Sequence, residues 1–584
     1  MKQIIKGIKV YKIGHGGIGI GSMQDGKKIL IKGGAIPGSV VDIKVVKRRK
    51  DYIEAHIVET KKYDPHFADG EIFCPHYFIP MGVSAVNEGT AKIGCGGCKW
   101  QMMSYPRQLE LKQELIAESF KKVNAKIQNP PASHPPLQKG VISFLPILGS
   151  PLVQGYRNKI EFSFGVYIQQ SSEYRQWERE QRVLMENPPL KGDEGGSNSK
   201  GTSPTPPSEG GLQKAPQKYI IESRKNCGFH KQGEFSKIVD VESCGLISHK
   251  ANLMFEKIKE LCMSSPLPVY DQKTHQGFFR HLVIREGVNT GQLMANLSVS
   301  LSNLSDKQTK EWEALLESFK ADTLLQEGIS TFLITYNEGL ADTVKNEKSE
   351  TKVFWGEGVI HETLSFSSFG SEAEESTTLD ASLHSAGQEG GAQEVTFRIS
   401  PFSFFQTNTL GAQRLFSTAF NMLGNFEGNI LDLYCGAGSI GLSLLKMKNR
   451  EQEKSELIGI EIVEEAIIDA WHNAKINGLQ DQSYFVASPA EKALANFPEL
   501  EEKIKNVGVV VIDPPRDGLH KNVIEWIVNL KKEYHFKLLY ISCNPVTMAR
   551  DVGMFLEAGF SLKEIQGVDM FPHTHHCECI GVLG

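Results

Sequence analysis

The chain has no long apolar run. Nowhere in its 584 residues is there the stretch of about 18 consecutive apolar residues that a membrane span needs. The N-terminus, MKQIIKGIKVYKIG, alternates too regularly and carries too much charge for a signal peptide. Cysteine is scarce. Ten are scattered irregularly through the chain, too few for a disulfide scaffold of this size. A soluble, cytoplasmic protein is expected, and in a reducing compartment clustered thiols point to metal binding or catalysis. No internal repeat is visible. The net charge of −5 excludes little, because the charge is unevenly placed. Residues 1–62 hold fourteen Lys and Arg against five Asp and Glu, densest in KVVKRRK from Lys44 to Lys50. Such a tract is either a solvated face or a nucleic-acid contact.

The length suits about three or four domains of ~150 residues. Residues 1–62 read as short alternating strands broken by glycines, the pattern of a small β-barrel of the oligonucleotide-binding kind. Residues 63–395 mix strands such as YRNKIEFSFGVY with a helical stretch over 100–124, an α+β pattern. Two segments, near 188–218 and 367–392, are rich in small and polar residues and are expected to be disordered insertions. From 396 to 584 the pattern alternates. NILDLYC, ELIGIEI, SYFVA, VGVVVIDPP and KLLYISC are strands separated by amphipathic helices. This predicts a doubly wound, Rossmann-like parallel sheet.

ILDLYCGAGSIG, Ile430 to Gly441, is a strand, a glycine turn and a helix start. Gly436 and Gly438 let backbone approach a ligand beside a helix N-terminus. Glu461 ends the next strand, where a carboxylate accepts from ribose hydroxyls. NAD and S-adenosylmethionine both fit. The lip Asp513-Pro514-Pro515-Arg516 favours the sulfonium, because a hydride-transfer enzyme has no clear use for a carboxylate there. Cys543 ends another strand, before Asn544-Pro545, on the edge where open α/β sheets bind ligands. It reads either as a nucleophile or as a buried thiol. Cys74, the Cys95-x-x-Cys98 pair and Cys244 form a candidate four-thiolate set, which suits zinc or an iron–sulfur cluster. Cys227 is a competing ligand, read as a core thiol. His573, His575 and His576 are too cramped to suggest a metal.

LDLYCGAGSIG, VIDPPRDG, ISCNP, HTHHCE and the entry segment SPFSFFQTN resemble, in order, the RNA 5-methyluridine methyltransferase family. YRNKIEFSF and FRHLVIREG extend the likeness upstream. The resemblance implies that Gln406, Tyr434, Gly436, Gly438, Ser439, Glu461 and Asp513 line an S-adenosylmethionine site. Ser439 stands where the family commonly has Asn. It implies Cys543 as the nucleophile that adds to uracil C6 and Glu578 as the base that removes the C5 proton, the pair this chemistry requires. The contexts GFHKQG and IVDVESC resemble the subgroup with an N-terminal TRAM barrel and a [4Fe–4S] cluster, here on Cys74, Cys95, Cys98 and Cys244. The gap from Cys74 to Cys95 is longer than in that subgroup, with residues 79–93 as an inserted loop. The implied substrate is structured RNA, of the 23S ribosomal type rather than transfer RNA. No membrane and no obligate protein partner are implied. The rival readings are a transfer-RNA uridine methyltransferase, a non-catalytic RNA-binding protein on the same fold, and an NAD-dependent oxidoreductase.

Overall fold

A computed structural model describes residues 3–77, 95–128, 140–170, 220–231, 234–302, 304–366, 393–448 and 455–584. The insertions expected near 188–218 and 367–392, and the loop 79–93, lie outside the described residues.

The N-terminal strands form one six-stranded sheet, ordered Ile4–Lys9, Val40–Arg48, Tyr52–Lys62, Lys28–Lys32, Ile18–Ser22, Lys12–Gly14. The two outermost strands are neighbours in the chain, so the sheet curls back on itself as a barrel. Alternate residues point inward, and Val10, Ile29, Ile31, Val41, Ile43 and Ile53 fill the interior.

A seven-stranded central sheet follows. Its order is Glu234–Asp240, Ile220–Lys231, Lys159–Gln170, Phe279–Gly287, Gln292–Val299, Thr331–Tyr336, Glu350–Trp355. Helices His249–Ser264 and Asp306–Ala321 contribute Met254, Phe255, Trp312 and Phe319 to the core on that sheet. The ribbon Ile360–Phe366 with Gln393–Ile399 leads onward.

The C-terminal sheet has eight strands, ordered Ser483–Ala487, Leu457–Glu461, Asn429–Leu433, Val507–Ile512, Lys537–Ser542, Glu578–Leu583, Leu562–Val568, Ser143–Leu148. The first five are parallel and Glu578–Leu583 is antiparallel. Both faces are covered, so its strands are apolar throughout rather than alternating. Val510, Leu538 and Tyr540 face one core, while Val509, Val511, Leu539 and Ile541 face the other. The Rossmann-like architecture read from the sequence is therefore present.

Two upstream segments complete this part. Strand Ser143–Leu148 pairs with Leu562–Val568 at the sheet edge. Helix Tyr105–Gln128 places Ile116, Phe120, Val123 and Ile127 in the same core. That helix starts later than the pattern over 100–124 suggested. Residues Lys99 and Trp100 instead donate their backbone N–H groups to His573 O, at 3.0 and 3.1 Å. Lys112 of the helix meets Asp569 at 2.6 Å with both side chains fully buried. Removing one member of a buried pair strands a charge, which costs about 3–5 kcal/mol. Lys112→Ala should lower the unfolding midpoint accordingly in denaturant titration, and the double variant Lys112→Met/Asp569→Leu should recover most of the loss.

Candidate active site

Adjacent strands of the C-terminal sheet bring the predicted residues to one lip. Asp513 follows Val507–Ile512, Cys543 follows Lys537–Ser542, and Glu578 begins the antiparallel strand beside it. Ser542 pairs with Cys579, so the next step of the register sets Cys543 beside Glu578. The turn after Cys543 is fixed by its own sequence. Asn544 caps helix Pro545–Glu557 by accepting from Val546 N–H at 3.1 Å. Its amide donates to Arg516 O at 2.9 Å, and Thr547 donates to the same oxygen at 3.3 Å. The Asp-Pro-Pro-Arg lip and the cysteine turn are thus tied together.

These groups form an electrostatically strained set. Burial, then Glu578 and Asp513, pushes the Cys543 thiol up to about 12, while Arg516, through its charge and a side-chain hydrogen bond, pulls it down. Burial pushes Asp513 up, and burial together with Asp513 pushes Glu578 up. Glu578 is 3% exposed. Burial makes the carboxylate of such a group more basic than usual, which suits it to accept a proton.

The glycine turn lies two strands away on the same lip. Tyr434 takes a positive φ of 66° to enter the turn, and Gly438 has φ 80°. At that φ a side chain would be strained, and a Cβ would also crowd Leu442 Cδ1 at 2.9 Å, so the turn favours glycine. Asp432 is 1% exposed and accepts from Gly441 N–H at 3.0 Å. It locks the turn to the following helix, and burial pushes it up to about 8. Glu461 accepts from Gly436 N–H at 3.2 Å and from Ile462 and Val463 N–H at 2.8 and 3.1 Å. Ser439 opens the helix Ser439–Lys448. Gln406, 8% exposed, lies just before helix Thr409–Leu423.

The four predicted thiols gather elsewhere. Cys74, Cys95, Cys98 and Cys244 line one cavity of about 340 Å³ together with Arg157 and Arg285. Burial pushes Cys95 and Cys98 up and Cys244 up to about 11, and each of the three is raised further by neighbouring thiols of the set. Among the described residues, no three His, Cys, Asp or Glu side chains converge on a single-ion site. Cys227 does not line the cavity and is buried in the core of the central sheet.

Residues 371–584 match the family model of tRNA (uracil-5-)-methyltransferases. This part of the chain is similar to the RNA uracil-5-methyltransferases. Two relatives described as uncharacterised RNA methyltransferases match nearly its full length. One, from Caldanaerobacter subterraneus, is 29% identical over 99% of this chain and 98% of its own. The other, from Clostridium acetobutylicum, is 29% identical over 97% and 94%. A solved structure of the Pyrococcus abyssi tRNA (uracil-54, C5)-methyltransferase with S-adenosyl-L-homocysteine shares the fold. It is 20% identical, covers 99% of this chain and all of its own, and has a TM-score of 0.56.

Sequence reasoning assigned no role to Arg516, although it stands inside a quoted motif. Its contact with Cys543 depends on the packing of two strand ends. Of the histidines of HTHH, His573 is structural. His573 accepts Gln108 Nε2–H at 3.1 Å and faces Val153 O at 3.0 Å. Burial pushes His573, His575 and His576 down to about 4, 3 and 4, so at pH 6.5 they are neutral in the folded chain and about half charged in the unfolded one, a difference that fades as pH rises further. Asp432, Asp513 and Glu578 have folded values raised above their unfolded ones. Their folded forms keep protons that the unfolded chain has lost, so stability falls as pH rises from about 6.5 to 8. Thermal unfolding of the ligand-free enzyme should show this decline, and Asp432→Asn should flatten it.

Proposed function

We propose that the protein methylates C5 of a uridine in structured RNA, with S-adenosylmethionine as donor. The observation that carries this reading is the shared lip of Cys543, Glu578 and Asp513 beside the Gly436–Gly438 turn. The cradle suits the donor. Gly436 and Gly438 leave room for close approach, Glu461 offers a carboxylate at the ribose position, and Gln406, Tyr434 and Ser439 border the space. When bound, S-adenosylmethionine supplies an electrophilic methyl group on a cationic sulfur.

The residues of this chain do the rest. Arg516 favours the Cys543 thiolate, which bonds to uracil C6 and pushes the ring electrons toward O4, so that C5 becomes the nucleophile. After C5 has gained the methyl group, Glu578 takes the C5 proton. The C5–H electrons then re-form the C5–C6 double bond, and the sulfur leaves as thiolate. Asp513 lies beside both groups and faces the cationic end of the donor or the uracil edge.

Cys74, Cys95, Cys98 and Cys244 would hold a [4Fe–4S] cluster. Four thiols spread around a cavity suit a polynuclear cluster better than a tetrahedral zinc ion, whose ligands converge on one point. Anaerobically purified protein should therefore contain about four irons per chain, measured by metal analysis. One zinc and no iron would overturn the assignment.

Ribosomal RNA is the proposed substrate class, supported by the combination of this cysteine site with a basic N-terminal barrel of the TRAM kind. Transfer RNA is the second reading, favoured by the full-length fold match to a transfer-RNA enzyme. Mapping 5-methyluridine in both RNA pools from cells lacking the protein separates them. Cys543→Ala should lower methyl transfer by about a thousandfold or more while S-adenosylmethionine still binds. Glu578→Gln should methylate and then stall, leaving a protein–RNA adduct on denaturing gels. Normal turnover by either variant would sink the mechanism.

A further inference from the structure

Three consecutive residues before strand Lys159–Gln170 touch three separate functional segments. The Tyr156 hydroxyl donates to Pro572 O at 3.1 Å, in the stretch leading to Glu578. Arg157 donates its N–H to Leu246 O at 2.7 Å, two residues beyond Cys244. Asn158 grips the entry segment around Gln406. Its N–H donates to Thr407 O at 2.8 Å, and its side-chain amide donates to Gln406 O and to Thr409 Oγ1, each at 2.9 Å. Its own carbonyl accepts from Glu286 N–H at 2.8 Å. Asn158 is 6% exposed, so none of these partners is readily replaced by water.

The chemistry of this knot specifies the residue. Thr409 donates its hydroxyl proton to Glu362 at 2.6 Å. Glu362 also accepts backbone N–H groups from Val288 and Asn289 at 2.7 and 2.9 Å. With its proton committed, the Thr409 oxygen presents a lone pair to Asn158, and Gln406 O presents another. Only a double donor of this length satisfies both. An Asp in its place would set a carboxylate against two acceptors, and Ala would leave both buried oxygens without a donor.

We propose that Asn158 is a positioning residue for the methyl-donor site: it fixes the backbone of Gln406 and Thr407, and so sets where the Gln406 side chain meets the cofactor. The proposal rests on the reading of Gln406 as a cofactor contact. It assigns the central sheet a part in donor binding that neither the glycine turn nor the strand-end residues supply. Because Arg157 ties the same turn to the cysteine loop, the order of that loop and the readiness of the donor site are held by one short stretch of backbone.

The test measures S-adenosylhomocysteine affinity by calorimetry for the full chain, alongside RNA affinity, melting temperature and steady-state constants. Asn158→Ala and Asn158→Asp should each weaken S-adenosylhomocysteine binding by about tenfold, equivalent to about 1.4 kcal/mol. They should raise KM for the donor while kcat at saturating donor and RNA affinity change by less than about threefold, a shift of under ~0.7 kcal/mol. A purely structural role would instead lower the melting temperature and leave donor affinity untouched, and that result overturns the proposal. Should Asn158→Ala not fold, Asn158→Ser is read by the same criteria. Gln406→Ala separates the two claims. Weak donor binding in Gln406→Ala with normal binding in the Asn158 variants overturns the positioning role alone. Normal donor binding in Gln406→Ala overturns the reading of Gln406 and the proposal with it.

Discussion

Three acids meet on one partly buried lip, and burial works against the charge on each of them. Asp513, Cys543 and Glu578 each sit at a strand end of the same sheet and each is pushed up by burial; Asp513 also raises Glu578, and both carboxyls raise Cys543. The rest of the site follows from that conflict. A nearby cation offsets the cost of charge for the thiol. Arg516 is held against the cysteine turn by Asn544 and Thr547. A cationic donor and a polarisable uracil would relieve the same repulsion from the ligand side. The constraint that works against negative charge on the lip thereby becomes its affinity for positive charge.

The segment ahead of Glu578 is held from several directions, which suits a base that must act on one atom. His573, at a positive φ of 64°, is fastened to Gln108 and to the backbone of Lys99 and Trp100. Asp569 is fastened to Lys112. The barrel also reaches this segment. A Cβ on Gly17, itself at φ 67°, would lie 3.1 Å from the His575 ring, so the barrel's glycine turn is moulded to it. Ile13 and Ile36 of the barrel share a core with Trp100, Met103, Leu111 and Leu115. The barrel is thus built into the wall behind the base and is more than a tethered basic patch.

What the sequence made legible was local. Strand ends, a glycine turn and a helix cap are written in neighbouring residues, so Glu461, Asp513 and Cys543 could be placed on one lip from periodicity and topology alone. Glu578 needed the resemblance, because a carboxylate on a last strand carries no local signal. The later start of helix Tyr105–Gln128 was missed because its cause is His573, far away in the chain. Asn158 was missed for the same reason. It reads as one polar residue before a strand, and its meaning lies in Gln406, Thr407 and Thr409. Asp432 fastens the glycine turn from behind, through Gly441 N–H, and nothing in its neighbours announces that. The alternation that reveals a strand cannot show which polar side chain is enclosed.

Strand Ser143–Leu148 closes the edge of the catalytic sheet, and Gln566 donates to Pro146 O across 420 residues of chain. Bringing ends so distant together is an entropic hurdle that local helices and hairpins do not face. The last seam to close during folding should therefore be this one. Until it closes, Leu562–Val568 offers a bare row of peptide groups to any passing strand. In the native sheet the edge passes to Ser143–Leu148, where Pro146 lacks an N–H and so interrupts the row of donors that another strand would need.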